Sequence, residues 1–224
     1  MRRWIGLAVL GVGLAIVAWV GVTLEWGDPF TSLYTSHAQH SLARQLDRTE
    51  ATWRRADRPE SAARAAKSGV ASLVRRRALR FGRHLQDGSP IGRIRIPRIH
   101  LDMVVVQGTS TSDLERGPGH YDAATGVNTS LPGLGAVVAI AGHRTTFLHP
   151  FRHIDDLRPG DNIYLEMPYG TFRYTVYLQR VVLPTDWSIL RPRQFEKLVL
   201  TACHPLYSAS HRLVVFARLE GEAI

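Results

Sequence analysis

Leu198-Val199-Leu200-Thr201-Ala202-Cys203-His204-Pro205 is the stretch on which the prediction of the fold depends. Its first three residues form an apolar run, which is typical of a strand covered on both faces. Pro205 has no backbone N–H to donate to a sheet, so the strand is predicted to end there. The stretch therefore places Cys203, the only cysteine of the chain, at the end of a strand where a substrate could reach its thiol.

Two further apolar runs adjoin residues with reactive or charged side chains. Val137–Ala141 leads to His143, and Leu213–Ala217 follows Arg212. A nearby imidazolium or guanidinium favours the thiolate form of a cysteine, and a histidine can protonate a leaving amine. An arginine can also bind the oxyanion that forms during acyl transfer. Cys203, His143 and Arg212 are therefore the predicted catalytic residues, although their spacing alone does not bring them together.

The second half of the chain has the pattern of an all-β domain. A turn cluster at Gln86–Pro90 marks the boundary, and alternation with period two begins at Ile91. The other strands predicted outside the three runs above are Leu101–Val106, Asn162–Glu166 and Phe172–Leu183. Gly117–Tyr121 is predicted to be a tight loop, with His120 as a loop residue. Seven or eight short strands with little helix predict a closed β-barrel over residues 89–224.

The N-terminal residues 1–25 are predicted to be a membrane anchor. Trp4–Leu24 carries no charge and would span about 30 Å as a helix, which is enough for one bilayer crossing. Arginines precede this run, so the N-terminus is predicted to be cytoplasmic and everything after residue 25 extracellular. A cleaved signal peptide is the alternative, but the run is longer than the apolar part of such a peptide and no clear cleavage site follows.

Residues 26–88 are predicted to be a basic helical stalk between the anchor and the barrel. They are rich in Ala, Arg, Gln and Leu, and the helix is predicted to break near Pro59 and Gly69. The first 90 residues carry 14 basic and 7 acidic side chains, so most of the net charge of +9 lies there. Arg75–Arg77 is either a solvated basic face or a contact for anionic lipids or wall polymers. No spaced aromatic residues accompany the charge, so a nucleic-acid partner is not expected.

The segments that carry this chemistry resemble a known family, the sortases, which are membrane-anchored cysteine transpeptidases of Gram-positive bacteria. The resemblance covers roughly residues 90–220. Leu200-Thr201-Ala202-Cys203 is similar to the family's T-L-x-T-C motif, and Ala141–Arg144 and Arg212–Val215 match further segments. Val199 stands where the family usually has Thr. The segments His143–Thr146, Cys203–Pro205 and Gly119–Tyr121 look most like class E, the actinobacterial branch, with classes D and F as alternatives.

The resemblance implies an eight-stranded sortase-type barrel with short helices. It also implies that Cys203 attacks the Thr–Gly bond of a C-terminal sorting signal, LPxTG or, for class E, LAxTG. An acyl-thioester would form, and an amine of a peptidoglycan precursor (lipid II) or of a pilin would resolve it. His143 would act as the general acid and base, and Arg212 would hold the substrate or the oxyanion. Tyr121, Thr201 and Ala202 would line the substrate cleft.

No cofactor and no metal are predicted. His149 and His153 are four residues apart and could face one way, but only Asp155 and Asp156 stand nearby to complete a metal site. Two other functions remain open from the sequence. One is a cysteine hydrolase that uses water as acceptor, and the other is a non-catalytic, membrane-anchored binding module with an inert thiol.

Overall fold

A helical N-terminal part precedes a β-barrel. The computed structural model describes residues 2–26, 29–57, 69–122 and 129–223. The helices described are α1 (Arg2–Trp26), α2 (Pro29–Asp57), α3 (Val70–Gly82) and the single turn α4 (Thr111–Leu114). The strands are β1 (Pro90–Ile96), β2 (Leu101–Gln107), β3 (Gly119–His120), β4 (Val137–Ala141), β5 (Asn162–Met167), β6 (Gly170–Val182), β7 (Lys197–His204) and β8 (His211–Ala223). The predicted break at Pro59 lies outside the described residues, whereas Gly69 immediately precedes α3.

The strands close into a barrel in the order β1-β2-β3-β4-β7-β8-β6-β5, which confirms the predicted all-β, eight-stranded fold. Neighbouring strands are antiparallel except for two parallel pairs, β2 with β3 and β4 with β7. Alternate residues fill the barrel, among them Val138, Ile140, Leu198, Leu200, Leu213 and Val215. The intervening residues form a second apolar cluster on the outer surface: Val137, Ala139, Val199, Val214 and Phe216, which pack against Val182 and Ile189.

The prediction of a plain loop at Gly117–Tyr121 was wrong, because Gly119 and His120 form the strand β3. This strand pairs with the end of β2 on one side and with β4 on the other, and so closes the barrel. A Cβ on Gly119 would lie 2.3 Å from the carbonyl oxygen of Gly108, so the close approach requires glycine. Two residues cannot show an alternating pattern, and only their distant partners identify them as a strand.

His120 is buried, which makes the folded state sensitive to acid. Its Nδ1 lies 3.1 Å from Gln107 Oε1, and its Nε2 lies 3.1 Å from the carbonyl oxygen of Ser130. Burial lowers the pKa of His120 from 6.5 to about 4, so between these values the unfolded chain binds a proton that the folded chain does not. From this residue alone, we expect the free energy of unfolding to fall by about 3 kcal/mol between pH 7 and pH 4, measured by urea denaturation.

A pair of variants separates His120 from the other titrating groups. His120→Gln is expected to flatten the acid limb of the stability profile. His40→Gln, at an exposed position of α2, is expected to leave that limb unchanged. Equal pH slopes in the wild type and in the His120 variant would contradict this assignment.

The helices predicted as a stalk pack against the barrel. Leu42 and Leu46 of α2 are buried on the outer face of β2. Val74, Ala78 and Phe81 of α3 belong to the main barrel core. The apolar residues of these two helices are buried by packing against the barrel, and they do not form a separate core. A role in spacing the barrel from a membrane stays a prediction.

Gln39 of α2 completes the hydrogen bonding of β2. Its Nε2 donates to the carbonyl oxygens of Val104 (3.0 Å) and Arg116 (2.7 Å), and its Oε1 accepts from the Val104 N–H (2.8 Å). Gln39→Ala would leave both backbone groups of Val104 without these partners. We expect this change to lower the free energy of unfolding by about 1–3 kcal/mol, measured by chemical denaturation. Gln45→Ala, at an exposed site of the same helix, is the control and is expected to change it by less than about 0.5 kcal/mol.

The helix α1 contains a candidate membrane span. Arg3–Gly21 is long and apolar enough to cross a bilayer, and none of this window is buried by the rest of the chain. Trp4 and Trp19 are exposed near its two ends, where amphipathic aromatic rings commonly sit at the membrane–water interfaces. The length and composition of α1 are therefore those of a candidate membrane span, and its role as an uncleaved anchor stays a prediction.

Candidate active site

The alternation along β7 places Cys203 on the outer surface of the barrel. Ala202 lies in the barrel core with Leu198 and Leu200, whereas Val199 packs in the outer cluster. Thr201 and Cys203 follow Val199 at intervals of two residues and therefore share its face. Cys203 is a half-buried free thiol at the end of the strand, as the sequence predicts.

His143 reaches the same edge because β4 runs parallel to β7. Ala141 pairs with Thr201, and the Gly142 N–H donates to the Thr201 carbonyl oxygen at 3.1 Å. His143 follows Ala141 by two residues, as Cys203 follows Thr201. The carboxyl ends of the two strands thus carry the imidazole and the thiol to one edge of the barrel.

Arg212 is the register partner of Cys203 on the antiparallel strand β8. Residues directly opposite each other in such a pair project to the same face of the sheet. The Nη1 of Arg212 donates to the carbonyl oxygen of Ala209 (2.9 Å) in the preceding loop and to that of His211 (3.0 Å), the first residue of β8. The topology therefore brings the three predicted catalytic residues to one end of the barrel, with Cys203 on the strand between the other two.

The imidazole of His143 is held in a partly desolvated position. Its ring lies against the ring of Phe147, with centroids 5.3 Å apart. Burial lowers the pKa of His143, and the negative charge of Glu115 partly offsets this effect. The Nε2 atom is buried and makes no hydrogen bond with the described residues. Burial of the ring and the lowered pKa favour the neutral form of His143, which can accept a proton.

The loop that carries Phe147 has an unusual backbone. Phe147, Leu148 and His149 all have positive φ angles, 53°, 59° and 35°, which side-chain-bearing residues seldom adopt. The N–H of Phe147 donates to the Oγ1 of Thr31 in α2 at 3.3 Å. A residue of the N-terminal helix thus holds the loop against which His143 packs. This contact could not be predicted from the sequence, because a local pattern does not indicate which distant residues come into contact.

Two of the three predicted substrate-binding residues meet beside Cys203, and the third does not. The hydroxyl of Tyr121 lies 2.9 Å from Thr201 Oγ1, so this pair shares the outer face of the barrel. Ala202 instead faces the barrel interior and is buried there. The alternation of β7 explains the difference, because adjacent residues of a strand point to opposite faces.

The two histidines considered as metal ligands interact, because, besides burial, the charge of His153 contributes to the lowered pKa of His149. His153 Nδ1 lies 3.4 Å from Asp156 Oδ2, and burial lowers the pKa of His149. Within the residues that the structure describes, no group of three or more His, Cys, Asp or Glu side chains could hold a metal ion.

Comparisons with known proteins agree on one family. A family model described as "Sortase domain" matches residues 94–220. Sortase D of Bacillus subtilis is 31% identical over 137 residues, which cover 59% of this chain and 65% of that protein. Sortase SrtE1 of Streptomyces coelicolor is 30% identical over 149 residues, which cover 61% of this chain and 42% of that protein. The matched region thus spans less than two thirds of the length of these two relatives.

Solved structures of the same family share the barrel. Sortase E1 from Streptomyces coelicolor, solved with a tripeptide in the active site, has a TM-score of 0.57 at 30% identity and covers 60% of this chain and 90% of that one. Sortase E from Streptomyces avermitilis has a TM-score of 0.55 at 33% identity, covering 62% and 92%. A Clostridium perfringens Sortase D5 transpeptidase has a TM-score of 0.57 at 27% identity, covering 65% and 88%.

Proposed function

Since this chain belongs to the sortase family, we propose that it is a membrane-anchored cysteine transpeptidase that acts on C-terminal sorting signals. The observation that carries the proposal is the convergence of Cys203, His143 and Arg212 at one edge of the barrel. Each of these side chains supplies a different function that acyl transfer needs. The proposed boundaries are an anchor at residues 1–25, a linking helical segment at 26–88 and a catalytic barrel at 89–224.

The first half-reaction forms a thioester. His143 takes the proton of the Cys203 thiol, and the resulting thiolate attacks the threonine carbonyl carbon of an LPxTG or LAxTG signal, while the guanidinium of Arg212 stabilises the oxyanion that develops there. The tetrahedral intermediate collapses by breaking the Thr–Gly bond, and the glycine amine leaves with a proton supplied by His143.

The second half-reaction transfers the acyl group to an amine. The incoming amine, from lipid II or a pilin, attacks the thioester and loses a proton to His143, while the Cys203 sulfur leaves. The hydroxyls of Tyr121 and the buried Thr201 bond to each other on the face of β7 that carries Cys203, and the partly exposed Tyr121 is proposed to contact the sorting signal with Thr201 behind it. Similarity to both sortase D and sortase E proteins leaves LAxTG and LPxTG as the two candidate signals.

The proposed location follows from α1. With arginines before the apolar helix, the N-terminus is cytoplasmic and the barrel faces the cell exterior, where both the sorting signals and the wall precursor are found. The partners are therefore exported proteins that bear a sorting signal.

The test is an acyl-transfer assay on the whole chain in detergent micelles, because α2 and α3 are packed on the barrel. Fluorogenic LAxTG and LPxTG peptides are supplied with and without an oligoglycine or diamine acceptor, and intact mass reports the thioester. Amine-dependent ligation together with an adduct on Cys203 would establish the transpeptidase. Cleavage that ignores added amines would instead indicate the cysteine hydrolase. A folded protein that forms no adduct with either peptide would favour the binding module.

A further inference from the structure

The backbone ladder between β4 and β7 ends before the catalytic side chains. The bond from the Gly142 N–H to the Thr201 carbonyl is the last one between these strands among the described residues. His143 and Cys203 both lie beyond it. The separation of imidazole and thiol must therefore be set by other contacts past the end of the ladder.

Arg144, directly after His143, makes such contacts. Its side chain is only 2% exposed, and its Nη2 pairs with Asp155 Oδ1 at 2.8 Å. The Arg152 carbonyl oxygen accepts from Nε (3.3 Å) and Nη2 (3.0 Å) of the same guanidinium. Its Nη1 lies 3.3 Å from Nδ1 of His204, the residue directly after Cys203.

The chemistry of these groups defines the direction of the bond to His204. A guanidinium can only donate, so Nδ1 of His204 must be the accepting nitrogen, and in the neutral ring the proton lies on Nε2. The bond thus connects the residue next to the catalytic histidine with the residue next to the nucleophile. Bonds to Arg152 and Asp155 hold the other side of the guanidinium, so it is not free to follow movements of His204.

We propose that Arg144 is a positioning residue that holds the ends of β4 and β7 together and thereby sets the distance between His143 and Cys203. This inference rests on the proposed function only in the use of these two groups for acyl transfer. Lysine cannot replace Arg144, because an ammonium group lacks the planar fork of donors that reaches several acceptors at fixed angles.

The expected effects follow from the sensitivity of catalysis to small displacements. A shift of about 1 Å between reacting groups can cost about 100-fold in rate. We therefore expect Arg144→Lys, which keeps the charge, to lower kcat of peptide cleavage by about 100-fold with little change in KM. His204→Ala is expected to lower kcat in the same direction. His204→Asn is expected to restore most of it, because the asparagine oxygen offers an acceptor close to the position of Nδ1.

The experiment measures peptide cleavage and Cys203 alkylation by iodoacetamide across pH, with thermal unfolding as the check on folding. Alkylation needs no sorting peptide, so it reports the thiol–imidazole arrangement even if the proposed substrate is wrong. Arg144→Lys and His204→Ala are expected to change the dependence of the Cys203 alkylation rate on pH. His204→Asn is expected to retain the wild-type dependence. Arg158→Lys is the control, because this exposed arginine bonds to the carbonyl oxygens of Asp155 and Leu157 and makes no hydrogen bond to β7 within the described residues.

Two results would overturn the proposal. One is an unchanged alkylation profile in folded Arg144→Lys protein. The other is a loss of activity in His204→Asn as large as that in His204→Ala, since the accepting atom would then be irrelevant.

Discussion

Cys203→Ala is expected to abolish both cleavage of the sorting peptide and transfer to an amine, by at least about 10⁴-fold. The reason is that the variant removes the only group among the three that can form a covalent acyl intermediate, and the remaining groups accelerate direct attack by water only weakly. Because the chain contains a single cysteine, any thioester found in the wild type must lie on this residue. Intact-mass analysis after incubation with LAxTG peptide measures the adduct directly.

The same variant also decides between an enzyme and a binding module. Cys203 is half-buried at the end of β7, and alanine fits there without an unpaired polar group, so the fold is expected to persist. Peptide binding is therefore expected to survive while turnover is lost. Full peptide turnover by the alanine variant would contradict the assignment of the nucleophile.

His143→Ala is the second substitution with a large expected effect. It removes the group that exchanges protons with the leaving and incoming amines, which is typically worth about 10²–10⁴-fold in rate. We expect kcat/KM for peptide cleavage to fall by this factor. We also expect added imidazole to restore part of it, because the substitution opens a space beside Phe147 that the ring occupied.

The control for His143→Ala is a second histidine in the same loop. His149→Asn keeps a residue that tolerates the left-handed conformation found there, so the loop is expected to hold its shape. Its activity is expected to stay within about threefold of the wild type, because the His149 side chain makes no hydrogen bond to His143 or Cys203 within the described residues. An equal loss in both variants would indicate that the loop is disturbed and that His143 has no separate chemical role.

Much of the fold could be predicted from local patterns. Continuous apolar runs such as Val137–Ala141 and Leu213–Ala217 predict strands that are covered on both faces. The structure shows why, because one set of alternate side chains lies in the apolar barrel core and the other set in the apolar outer cluster. The reactive residues could be predicted for a related reason. Cys203 and His143 stand where apolar runs stop, and a polar side chain at that position lies at the edge of a sheet.

The residues that the sequence analysis missed or misplaced depend on partners distant in the chain. β3 is a strand only because β2 and β4 lie on its two sides. The resemblance implies that Ala202 lines the cleft, whereas the alternation of β7 directs this side chain into the barrel core. The sequence assigns no role to Arg144, because its partners Arg152, Asp155 and His204 come next to it only when the barrel is folded.

The sequence by itself determined the class of fold, the uncharged N-terminal helix and the residue types that the chemistry needs. These features follow from hydrophobic periodicity and side-chain chemistry, which are local properties. Only the tertiary structure decided that α2 and α3 belong to the packing of the barrel and that the thiol, imidazole and guanidinium lie at one end of it. The physical reason is that strand order and register are set by the burial of side chains from distant segments against one another, and the sequence pattern of one segment does not specify its neighbour.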